Sequence, residues 1–114
     1  MITIENLKTY GADVATGLAR CMNNEGFYLR LVNMELNDAN FARLTEALDK
    51  GDAHEAFEAA HALKGALGNL AWTPLYAPVS ELTERLRHAD DIANVGELPG
   101  VIADAYVRLR ALAE

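Results

Sequence analysis

Apolar residues in this chain keep helical spacing from one end to the other, and strict alternation is confined to Ile2-Thr3-Ile4. That spacing decides the fold class. A helix buries residues three and four apart, whereas a half-buried strand buries every second one. The clearest stripe is Ala56, Ala59, Ala60, Leu63, Leu67 and Leu70. Alanine, leucine and glutamate dominate elsewhere and favour helix further. The chain is therefore predicted to be all-α.

Start and stop signals divide it. A helix over residues 3–10 opens on Thr3 as N-cap and closes before Gly11. A second covers 12–22. A third covers 25–36, with Phe27, Leu31 and Met34 at helical spacing. Asp38 caps a fourth through residue 50, with Phe41, Leu44 and Leu48 on its apolar face and Gly51 as its stop. Asp52 caps a fifth to about residue 70, with Glu55 three residues on as in a capping box. Thr73 as N-cap and Pro74 at the first helical position open a sixth, to about residue 88. A loop over 90–99 precedes a last helix to Glu114, with Ile102, Tyr106, Leu109 and Leu112 inward. Short connections force antiparallel neighbours. The expected architecture is an up-down antiparallel four-helix bundle with additional short N-terminal helices, one domain over 1–114.

With 51% hydrophobic residues the 114-residue chain can bury a core without staples. Seventeen acidic side chains against ten basic ones leave a net charge of -7. Such a chain repels nucleic-acid phosphates and anionic membranes, so neither is an expected partner. Cys21 is the only cysteine, which excludes an intrachain disulfide and a cysteine-built zinc site and fits a reducing compartment. Residues 1–8 do not read as a signal peptide, and no apolar run is long enough to span a bilayer. The expectation is a cytoplasmic monomer.

The informative residues lie on the fifth helix. His61, Lys64, Gly65 and Gly68 stand at i, i+3, i+4 and i+7, on a face other than the apolar stripe, with His54 and Phe57 on the same side. Each glycine inside a helix costs about 1 kcal/mol relative to alanine. What it offers is a flat surface where another backbone can come close, either a partner's or, for Gly68, that of another helix in the bundle. A neutral imidazole has a lone pair that can attack phosphorus. A lysine one turn away, about 5 Å along the axis, can neutralise phosphoryl oxygens.

Ala60-His61-Ala62-Leu63-Lys64-Gly65, followed by Gly68-Asn69-Leu70, resembles the A-H-x-L-K-G signature of histidine-containing phosphotransfer (HPt) domains. These are four-helix bundles that relay phosphoryl groups between receiver-domain aspartates. The resemblance implies that His61 is the phosphoacceptor, that Lys64 stabilises the phosphoryl group and that Gly65 admits the receiver. It also implies magnesium in the receiver, and no cofactor in this chain. Many members carry glycine where Ala71 stands. Members also often place a glutamine or other polar residue on the next helix near the histidine. This chain has no glutamine, and the nearest match by spacing is Thr83, with Arg87 one turn on. His61, Lys64, Gly65, Gly68, Phe57, Thr83 and Arg87 form the expected site, and receiver domains are the expected partners. No nucleotide-binding loop is present, so the chain reads as a phosphocarrier and not as a kinase.

Two other readings compete. A non-catalytic helical adaptor would dock receivers without carrying phosphate. A di-iron bundle would use Glu58-x-x-His61, but the second such pair is missing; Glu84 and His88 stand at i, i+4 instead. Phe57 is either a residue at the edge of the core or an exposed anchor. Trp72 and Tyr76 read as core or turn packing, Met22 and Met34 as core filler, and Cys21 as a small buried hydrophobe. Glu81-Arg85 and Glu84-Arg87-His88 read as a solvated face. The patch around His61 is expected to be free of packed carboxylates.

Overall fold

The computed structural model describes residues 2–113, which hold helices and no strand. In order they are α1 (Ile4–Tyr10), α2 (Val14–Arg20), α3 (Glu25–Glu35), α4 (Ala39–Lys50), α5 (Ala53–Leu70), α6 (Thr73–Leu86) and α7 (Leu98–Ala111). Two-residue turns separate α4 from α5 and α5 from α6, and each of these helices packs on its neighbour in sequence. Helices α4–α7 form the up-down bundle, and α1–α3 are the added N-terminal helices. None of the helices is long and apolar enough to cross a membrane.

Caps set most boundaries. Thr3 and Asn6 close a reciprocal capping box on α1. The Asp38 and Asp52 carboxylates accept from the first-turn amides of α4 and α5, and Gly51 ends α4 in the left-handed region. Only half of the expected box at Asp52 forms. The Asp52 amide donates to the Ala47 carbonyl, and the Glu55 carboxylate pairs with Arg43 on α4. At α6 the N-cap is Trp72, without a side-chain cap bond, so Thr73 and Pro74 are the first two helical residues. The helix stops at Leu86, because Arg87 is extended and His88 has φ 60°. Pro99 lies in the first turn of α7, where an amide has no helical acceptor, so its lack of an N–H costs no helical bond. Helix α7 ends at Ala111; Glu114, the expected end, lies outside the described residues.

The buried stripe of α3 differs from expectation. Tyr28, Val32 and Leu36 face the core, while Phe27 is 40% and Met34 64% exposed. The reason is the Tyr28 hydroxyl, which donates to the Leu70 carbonyl at 2.9 Å and so is satisfied inside. Met22, 87% exposed, is not core filler either; it sits at φ 55° in the turn between α2 and α3. Cys21 is buried as expected.

The N-terminal helices converge on the α5–α6 bend. The Asp13 amide donates to the Ala71 carbonyl at 2.9 Å. A side chain at Gly17 would strike Tyr28 at 2.6 Å and the Leu70 carbonyl oxygen at 2.8 Å. Ala71 itself adopts φ 58°, ψ 41°, the left-handed conformation in which glycine is common. Trp72, directly after it, is wholly buried.

Candidate functional site

The α5 stripe from Ala56 to Leu70 is buried throughout and pins the helix to the bundle. This fixes which face is free, and His61 is exposed on it, near the middle of the helix. One turn before it, the Phe57 ring is half-buried and lies parallel to the imidazole, with centroids 5.5 Å apart and an interplanar angle of 9°. The Arg87 guanidinium covers Phe57 at 5.2 Å from the ring centroid. Phe57 thus contacts both a cation and the imidazole, at the edge of the core and in the site at once.

One turn after His61, the half-buried Lys64 side chain reaches across to α6, with Nζ 3.5 Å from Glu84 Oε1. Arg87 donates two hydrogen bonds to the same carboxylate, each 3.1 Å. These hold the Glu84 carboxyl below the usual carboxylate range, helped by the Arg87 charge, and they raise Arg87 in turn. The carboxylate nearest Lys64 is therefore Glu84, which is paired with two cations.

Space above Gly65 is open, since a Cβ at that position would meet nothing within 4 Å. Gly68 differs. A Cβ there would approach Tyr76 Cε1 to 3.1 Å, and its carbonyl accepts from the Arg20 guanidinium of α2. Its small size serves packing within the chain, and Gly68 also lines the groove that holds His61, Lys64 and Gly65. Arg20, Thr16 and Asp13 of α2 form one wall of a groove that continues to Lys64 and His61. The Thr16 hydroxyl bond, ahead of its amide bond, holds the Asp13 carboxyl below its ordinary value.

The docking role expected of Thr83 is corrected. It is completely buried, and its hydroxyl donates to the Val79 carbonyl at 2.7 Å, so it presents nothing to a partner. Sequence spacing placed the polar contact from α6 one residue too early. The residue that reaches α5 is Glu84, which was read as part of a solvated face. Leu82, Thr83 and Leu86 are buried, which turns Glu84 and Arg87 outward on one edge. His54 and His88 are exposed. Among the described residues no three His, Cys, Asp or Glu side chains gather so as to hold a metal ion.

A family model described as the Hpt domain matches residues 33–112. No curated protein and no solved structure gives a significant match.

Proposed function

Because the chain belongs to the Hpt domain family, we propose that it carries a phosphoryl group on His61 and passes it between receiver-domain aspartates. What supports this most is an exposed imidazole oriented by Phe57, one turn from Lys64 and beside the open surface at Gly65.

A ring nitrogen of His61 attacks the phosphorus of an aspartyl phosphate in line. The phosphorus–nitrogen bond forms as the bond to the aspartate oxygen breaks, and the carboxylate leaves with that electron pair. The proton on the other ring nitrogen can then pass to solvent. Lys64 supplies positive charge to the phosphoryl oxygens, and the same steps reversed deliver the group to a second aspartate. The metal such transfer uses belongs with the receiver; Glu84, the acid that Lys64 reaches, is already paired with Lys64 and Arg87. Gly65 leaves room for the partner backbone that brings the aspartate to His61.

The test is incubation with a phosphorylated receiver and magnesium, followed by an assay for acid-labile, alkali-stable phosphate. Label on the native chain and none on His61→Gln is the expected result. Label that survives His61→Gln, or none on the native chain, refutes the reading. Receiver binding without label would instead identify an adaptor.

A further inference from the structure

Lys64 already has a partner when His61 is bare. Its contact with Glu84 is single and 3.5 Å long, whereas Arg87 grips the same carboxylate twice at 3.1 Å. Arg87 also rests on Phe57, and Phe57 on His61. One continuous arc of side chains therefore runs from the imidazole through Phe57, Arg87 and Glu84 to the ammonium group.

We propose that Glu84 is an exchangeable counter-ion for Lys64, and that Arg87 is the positioning residue that permits the exchange. The inference rests on His61 being the phosphoacceptor. A phosphoryl group on His61 carries up to two negative charges one helical turn from Lys64. It draws Nζ away from the longer, single contact. Glu84 is not stranded by this, because its two bonds to Arg87 remain. Without Arg87, the departing lysine would leave an unpaired carboxylate beside a new dianion, and like charges at that range oppose the phosphorylated state. Glu84 thus weakens the hold on phosphate, and Arg87 limits the weakening. A carrier must also release its cargo, and this pair sets the balance between holding and release.

The full chain can be tested without its partner, using N-phosphoimidazole as donor. The phosphorus–nitrogen bond to free imidazole breaks as the bond to His61 forms, and imidazole leaves with the electron pair. Because both sides hold one phosphorus–nitrogen bond, the equilibrium constant, read by phosphorus NMR, reports the environment of His61. Glu84→Gln is expected to shift it about two- to fivefold toward phospho-His61, the range of an exposed ion pair. Arg87→Gln is expected to shift it the other way, with partial rescue in Arg87→Lys. Both shifts should shrink in 0.5 M salt. In the native chain, phosphorylation should move the Lys64 ε-carbon signal; in Glu84→Gln that signal should already be displaced before phosphorylation.

Equal constants in all variants, or shifts of the same sign for Glu84→Gln and Arg87→Gln, overturn the exchange while leaving His61 as phosphoacceptor. A native chain that takes no label on His61 overturns the underlying reading, and the exchange with it.

Discussion

The Phe57 and His61 rings are parallel to within 9°, with centroids 5.5 Å apart. That is an offset stack, and such pairs contribute about 0.5–1.5 kcal/mol beyond the area they bury. Phe57→Ala removes the surface on which the imidazole rests and on which Arg87 lies. Phosphotransfer from a receiver should slow about two- to tenfold. Receiver affinity should change little, because the ring is flanked by groups of its own chain. Rates and affinities measured well below both melting midpoints would check this; a loss confined to affinity would mean that Phe57 touches the receiver instead.

Gly65 and Gly68 lie on one helix but should respond oppositely to alanine. At Gly65 the new methyl group meets open space. Gly65→Ala should therefore gain about 1 kcal/mol of helix propensity, worth roughly 4 °C in melting midpoint, while transfer from the receiver slows. At Gly68 the methyl group must displace Tyr76, 3.1 Å away, so that variant should melt below Gly65→Ala. Thermal melts paired with transfer rates separate the two roles.

Ala71 holds φ 58° with a side chain that crowds the following carbonyl. Ala71→Gly relieves this and pays in unfolded-chain entropy. The net gain should be about 0.5–1 kcal/mol, visible as a higher denaturant midpoint at an unchanged slope. A lower midpoint would show that the bend is not limited by the residue's own backbone preference.

The Glu35 carboxyl is half-buried beside Asp38, and its Oε1 has no hydrogen-bond partner. Burial first, and the Asp38 hydrogen bond and charge after it, push its pKa from 4.5 to about 8. Asp38 is lowered: burial pushes it up, but hydrogen bonds with Glu35 and Asn40 outweigh that. Between the ordinary carboxyl range and about pH 8 the fold keeps a proton on Glu35 that the unfolded chain has lost. This contribution therefore makes stability fall as pH rises through that window. Glu35→Gln removes it and keeps an amide donor for Asp38. Its midpoint should exceed that of the native chain by more at pH 8.5 than at pH 4.5, as followed by circular dichroism.

Where the sequence was legible, a local rule sufficed. Thr3, Asp38, Asp52 and Gly51 cap where side-chain chemistry says they should, and the Ala56–Leu70 stripe is buried because nothing competes with its period. His61 with Lys64 and Gly65 was legible because a single helix orders them. The misreadings needed a second helix to resolve. Tyr28 looked less apolar than Phe27 until Leu70 supplied an acceptor for its hydroxyl. Glycine at position 68 fits docking or packing equally by sequence, and only Tyr76 of α6 shows that packing uses it. Thr83 and Glu84 differ by one residue, which is 100° around a helix, and only the packing of α6 on α5 says which of them is buried.

The family match begins at residue 33, yet Asp13, Gly17 and Tyr28 all brace the turn that follows the histidine helix. The region recognised by similarity is therefore smaller than the region packed around that turn. A fragment cut at residue 33 would lose the hydroxyl donor to Leu70 and the amide donor to Ala71, together with the packing of α2 against the bend. Such a fragment would keep every residue of the signature and lose the support that holds their helix in register with α6. The His61 face leans on this brace, and recombining this chain with another protein should require transplanting both.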